Sequence, residues 1–158
     1  VLLFCIMAGG YGGVDSAVAQ GAVTVSFERQ EARVGESIAV PIQVNRFNNI
    51  GAVSLIVIYD PEVLRFASGA GTRALISGAP RENFSANVVE PGELRVSWFD
   101  LTGSSPINIR DGTLLTITFH RYAGGESAIS FAEGSEISTI EADPVGARFR
   151  DGRVARRP

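Results

Sequence analysis

The most constraining stretch of the chain is Ile50 to Phe66, which reads Ile-Gly-Ala-Val-Ser-Leu-Ile-Val-Ile-Tyr-Asp-Pro-Glu-Val-Leu-Arg-Phe. A strand sends alternate side chains to opposite faces, so Val53, Leu55, Val57 and Tyr59 share one face and Ala52, Ser54, Ile56 and Ile58 the other. A strand with one solvated face alternates apolar and polar residues, and here only Ser54 interrupts. The second face therefore needs cover from neighbours, a second sheet or a partner protein. Asp60-Pro61 ends the strand, because proline presets φ for a turn and an aspartate side chain can cap it. Leu64 and Phe66 then resume an inward alternation.

The rest of the chain reads as more of the same. Val23, Val25 and Phe27 alternate inward on a first strand, and Glu28 to Arg33 is a polar stretch before a turn at Gly35-Glu36. Ile38, Val40, Ile42 and Val44 share a face of the next strand, with Pro41 pushing it toward an edge or a bulge. Asn48-Asn49 is expected to turn the chain into the strand that opens at Ile50. Thr72 to Ser77 is expected to form a single helical turn. Asn83 to Val89 carries Phe84, Ala86 and Val88 on one side, and Pro91-Gly92 marks a turn. On Glu93 to Asp100, Leu94, Val96 and Trp98 point inward, while Arg95, Ser97 and Phe99 point outward. Asp111-Gly112 is read as a turn before Thr113 to Arg121, whose Leu115, Ile117 and Phe119 face inward. Short strands follow at Ala128 to Phe131, Ile137 to Ile140 and Arg148 to Val154. No long stretch has helical period. About nine short strands with turns between them predict an all-β fold, a nine-stranded antiparallel β-sandwich.

Length and composition narrow the function. The chain has 158 residues, the size of one domain. Its formal charge of −3 and its lack of a basic stripe argue against a nucleic-acid partner. All 14 basic residues are arginine, which reads as codon bias rather than phosphate recognition. The single cysteine, Cys5, lies near the start, so the rest of the chain has no disulfide, thiolate nucleophile or cysteine zinc site.

Val1 to Ala8 is an unbroken apolar run, and Ala17-Val18-Ala19 has the small-residue pattern of a secretory cleavage site. Residues 1–19 are therefore expected to be a signal peptide, truncated at its start because an initiator Met and a basic leader are missing. A truncated membrane anchor is the alternative, although the run is short of the roughly 20 residues that a span needs. Removal of residues 1–19 leaves 16 acidic and 14 basic residues over 20–158, a nearly neutral chain whose domain spans 20–154. Residues 155–158 are expected to fray. The protein is expected to be secreted or held at the cell surface.

The order of these elements resembles the cohesin domain of extracellular scaffold proteins. The resemblance covers roughly Ala22 to Val154. It rests on Tyr59-Asp60-Pro61 with Val63-Leu64, followed at compatible spacing by Asp111-Gly112-Thr113-Leu114-Leu115-Thr116-Ile117-Thr118-Phe119. It implies jelly-roll topology for the sandwich and a dockerin module as partner, with calcium held by the dockerin and no cofactor in this domain. It also implies recognition through the outward face of the strand ending at Tyr59. In cohesins of the first cellulosomal type, two polar residues on that face contact the dockerin, and their counterparts here are Ala52 and Ser54. Ala52 cannot hydrogen-bond and Ser54 offers only a hydroxyl, so the interface is expected to be more apolar and the domain divergent from that type. The expected partner-binding residues are Ala52, Ser54, Ile56, Ile58, Ser97 and Phe99.

Other chemistries find little material. His120 is the only histidine, on a threonine-bearing face, which leaves no second imidazole for a zinc site and a poor basis for a triad. Glu133, Glu136, Glu141 and Asp143 form an acidic loop without EF-hand spacing. Asp100 reads as a strand-terminal cap better than as half of a glycosidase pair with Asp111. The chain is therefore expected not to be an enzyme. Two alternatives stay open. One is a carbohydrate-binding module that takes a polysaccharide on Trp98, Phe99 or Tyr122; the other is a structural surface-layer module whose apolar face is covered.

Overall fold

The computed structural model describes residues 22–67 and 84–158. The expected signal peptide, the helical turn at Thr72 to Ser77 and Asn83 lie outside them. Among the described residues there are eleven strands and no helix. They are β1 (Val23–Phe27), β2 (Arg29–Ala32), β3 (Ser37–Tyr59), β4 (Leu64–Phe66), β5 (Phe84–Glu90) and β6 (Glu93–Phe99). Then come β7 (Ile107–Arg121), β8 (Ser127–Phe131), β9 (Glu136–Thr139), β10 (Ala147–Arg150) and β11 (Gly152–Arg156).

One strand belongs to both sheets. The first half of β3 lies between β1 and β7, and its second half lies between β6 on one side and β9 and β8 on the other. The first sheet therefore runs β4-β7-β3-β1-β10, and the second runs β5-β6-β3 and on through β8 to β11 and β2. Most pairs are antiparallel; β1 with β10 and β11 with β2 are parallel. The sequence reading placed two strands and a turn at Asn48-Asn49 where this single bent strand lies. The bend is made by two left-handed residues, Arg46 at φ 62° and Asn49 at φ 57°. The pairing with β7 slips there, between Phe47 and Ile50. Asparagine tolerates this conformation better than most residues. Its backbone N–H donates to Asn108 Oδ1 at 2.8 Å, and its side-chain amide donates to Glu141 at 3.1 Å. Two residues on, Gly51 lets the backbone of Ile140 come close: a Cβ there would stand 2.6 Å from Ile140 Cα.

The alternation places the core. Val53, Leu55, Val57 and Tyr59 are buried, as are Ile38, Val40, Ile42 and Val44 from the other half of β3. Leu94, Val96 and Trp98 meet them from β6, and Leu115, Ile117 and Phe119 from β7. Full burial of such an aliphatic or phenyl side chain is worth about 1.5–3 kcal/mol. Tyr59 packs against Phe119 at 4.9 Å between ring centroids, and Phe27 stacks on Phe131 at 4.4 Å. Burial outweighs the hydrogen bonds near Gly92 and Phe66 and raises the Tyr59 phenol above its usual pKa. Pro41 lies one residue beyond the last β1 pair and beside a bulge at Ile42/Gln43, where a missing N–H is tolerated.

Three local expectations are corrected. Asp111-Gly112 is no turn; it lies inside β7, where Asp111 pairs with Asn45 beside the bulge. That bulge also turns Leu114 inward next to Leu115. The polar stretch after Glu28 contains β2, an edge strand paired with β11. The last expected strand is two strands, β10 and β11, divided at Asp151. The ordered pairing passes the expected boundary at 154: β11 runs to Arg156, Ala155 is buried, and Arg157 N–H donates to Ala32 O at 3.1 Å.

Candidate functional site

The antiparallel pairing of β3 with β6 builds an outer face on the second sheet. Its register sets Ala52 opposite Phe99, Ser54 opposite Ser97, Ile56 opposite Arg95 and Ile58 opposite Glu93. All six expected partner-binding residues therefore lie on one surface. β5 widens it, with Ser85 opposite Ser97 and Asn87 opposite Arg95, and the two serine hydroxyls are 2.7 Å apart. On the far side of β3, β9 adds Glu136 opposite Ser54 and Ser138 opposite Ala52. A row of polar side chains, Ser85, Ser97, Ser54 and Glu136, thus crosses four strands.

Ile56 and Ile58 are neither bare nor core; both are half-buried. The turn between β8 and β9 covers part of Ile56. Ile56 N–H donates to Ser135 Oγ at 3.0 Å, and a Cβ on Gly134 would stand 3.2 Å from Ile56 Cδ1. Opposite the two isoleucines, Arg95 Nε donates to Glu93 Oε1 at 2.9 Å. The face is therefore mixed in character. Its most exposed apolar groups are Phe99, 48% exposed, Leu101, 69%, and Val89, 53%.

The loop after Phe99 is held by Asp100. Its backbone N–H donates to Gly51 O at 2.8 Å, tying the loop to β3. Its carboxylate accepts from Thr102 N–H at 3.0 Å, Thr102 Oγ1 at 2.8 Å and Ser105 N–H at 2.7 Å. Desolvation pushes its pKa upward, but the bonds from Ser105, Thr102 and Gly103 together outweigh it and hold the carboxyl below its ordinary value. The rim of the face beside Phe99 and Leu101 is thereby preorganised.

The sequence reading missed Arg95, Glu93, Asn87 and Glu136 as members of this surface. Arg95 shares its alternation with Ser97 and Phe99, so the signal was present. Glu136 arrives through a pairing between residues far apart in sequence, which alternation cannot reveal.

The competing chemistries lose their geometry. Trp98 is buried at 1% exposure and points into the core, so it is no sugar-stacking platform. Tyr122 has Arg65 over its ring at 4.2 Å and donates its hydroxyl to Pro61 O. Among the described residues, no three histidine, cysteine, aspartate or glutamate side chains gather as they would to hold a metal. Glu133, Glu136, Glu141 and Asp143 form no such group.

Residues 23–154 match the family model described as cohesin domain. The chain is a cohesin. Among solved structures it resembles the sixth cohesin from scaffoldin B of Acetivibrio cellulolyticus, crystallised with a Cel5 dockerin. That likeness has a TM-score of 0.75 at 23% identity and covers 86% of this chain and 99% of that one. A non-cellulosomal cohesin from the archaeon Archaeoglobus fulgidus matches with TM-score 0.67 at 23% identity, over 87% of this chain and 92% of its own. At such identities the likeness is one of fold, and the fold of this cohesin is the jelly-roll sandwich. Among curated proteins, cellulose-binding protein A of Clostridium cellulovorans is 27% identical over 136 residues. Those residues are 85% of this chain and 7% of that protein, so this cohesin spans only a small part of its relative.

Proposed function

We propose that this cohesin is a secreted, non-catalytic recognition module that binds a dockerin-type partner on the outer face of β3 and β6. The observation that carries the proposal is the register of those strands, which gathers Ala52, Ser54, Ile56, Ile58, Ser97 and Phe99 on one rigid surface. Several similar cohesins were solved as complexes with dockerins. Secretion is supported by the Ala17-Val18-Ala19 pattern ahead of the domain.

Binding on this surface is packing with a few hydrogen bonds. A rigid sheet loses little conformational entropy on docking, so more of the contact energy appears as affinity. Phe99 and Leu101 supply exposed apolar area and the half-buried isoleucines a shallow floor. Ser54 and Ser97 offer hydroxyls, Arg95 a guanidinium. The lining is more mixed than the apolar face expected from the sequence, and in this reading Arg95, Glu93 and Glu136 supply the selectivity.

Capture of partners from the source organism's secreted proteins, with and without a calcium chelator, tests the proposal. A dockerin partner is recovered with calcium and lost with chelator, because its fold depends on the metal. Recovery that ignores the chelator contradicts the dockerin assignment.

A further inference from the structure

At the end of the sandwich where β7 finishes, Arg121 is buried at 1% exposure without a carboxylate beside it. Its guanidinium donates instead to backbone carbonyls. Nε reaches Ala123 O at 3.4 Å and Nη1 reaches Ala155 O at 3.2 Å, with further bonds from Nη1 to Ala32 O and from Nη2 to Gly125 O. These bonds satisfy donors but leave the positive charge unneutralised, and burial of an unpaired charge is costly.

The same side chain lines a cavity of about 500 Å³ together with Arg33, Arg156, Arg157, Gly124 and Gly125. The carboxylates nearby are already engaged. Glu36 accepts from Arg33 N–H at 2.8 Å and pairs with Arg157 at 3.3 Å. Glu31 pairs with Arg29 at 3.3 Å, and Glu126 with Arg153 at 3.8 Å. Among the described residues, the guanidinium groups of Arg33, Arg121 and Arg156 have no ion-pair partner. Four arginines, Arg33, Arg121, Arg156 and Arg157, thus line the cavity, and among them only Arg157 has an ion-pair partner, Glu36. A singly charged ligand would leave most of that excess in place, whereas a phosphate group, with more than one charge and several acceptor oxygens, meets it. Guanidinium forks suit phosphate geometry.

We propose that this basic cavity is a phosphate-binding site, separate from the β3–β6 face. The phosphate is a free ion or one carried on a polymer. Titration calorimetry of the full chain at fixed ionic strength, with inorganic phosphate in one arm and a glycerol-phosphate oligomer in the other, tests it. Saturable binding in at least one arm is expected. Equal or tighter binding of inorganic phosphate assigns the free ion, and tighter binding of the oligomer assigns a polymer-borne group; no heat in either arm overturns the site. Arg33→Gln with Arg156→Gln is expected to weaken binding at least tenfold while leaving the unfolding midpoint in chloride unchanged, since both side chains are exposed. Unchanged affinity in that variant assigns the binding elsewhere and overturns the proposal. Because phosphate stabilises many proteins by exclusion from their surface, a raised unfolding midpoint supports the site only where the double variant abolishes the rise.

Discussion

Ala52 stands directly across from Phe99 in the pairing of β3 with β6. The smallest side chain on the outer face thus lies beside its largest exposed ring. The alanine leaves the ring uncovered on that side, and the Asp100-capped loop fixes the end of the strand that carries it. A ring held this way can contribute contact area without first being ordered.

Ile56→Asp separates cover from exposure. The side chain is half under the Gly134–Ser135 turn, so a carboxylate there loses apolar burial and is partly desolvated. We expect a loss of about 1–2 kcal/mol in folding stability, read from urea unfolding. Stability equal to the parent would show that the turn does not cover Ile56.

Gly51→Ala tests the close approach of β3 to the residue after β9. The added methyl meets the Ile140 backbone at 2.6 Å, and backbone cannot swing aside as a side-chain tip can. A loss of about 1–3 kcal/mol is expected from the unfolding midpoint. A neutral result would contradict the contact.

Arg121→Met removes the donors that gather β2, β11 and the turn at Gly125. Ala155 O then loses a partner in a buried setting, Ala32 O keeps only the Arg157 N–H, and the carbonyls of half-buried Ala123 and exposed Gly125 can turn to water; an unsatisfied buried group costs about 1–3 kcal/mol. The net loss is expected to be about 1–3 kcal/mol in denaturant unfolding, since relief of the buried charge offsets part of it. Stability near that of the parent would mean that packing, not the guanidinium, holds this end.

Arg121 also shows what was legible in the sequence and what was not. Its alternation with Leu115, Ile117 and Phe119 points it inward, and a charged residue at an inward position is visible in the sequence. The carbonyls it meets come from Ala32 and Ala155, 89 and 34 residues away, and no local pattern announces them. The inward faces of β3, β6 and β7 were readable because burial on one side imposes period two. β2 was not, because an edge strand needs no apolar alternation. Asn48-Asn49 and Asp111-Gly112 carry turn chemistry, yet the structure spends it on a bend and a bulged pairing within long strands. Alternation alone pointed the residues of the candidate site outward, and the resemblance to cohesins implied that they share a binding face. The partial cover over Ile56 did not, because it is made by a turn nearly 80 residues later.

The Asp100 loop is expected to respond to acid. Its carboxyl titrates below the ordinary 3.8 in the folded chain, so its stabilising contribution is present above that value. That contribution is lost as pH falls through the lower folded value. Amide resonances of Thr102 and Ser105 should shift together in this window, and Asp100→Asn should remove the shared transition. Resonances of the parent that stay fixed through the acid range would contradict the cap.

The most direct test of the account is the affinity of a captured dockerin partner for the parent chain and for Phe99→Asp, measured by titration calorimetry. The account predicts at least a tenfold loss of affinity, about 1.4 kcal/mol, with the unfolding midpoint unchanged because Phe99 is 48% exposed. Equal affinity for the two chains would contradict binding on the β3–β6 face.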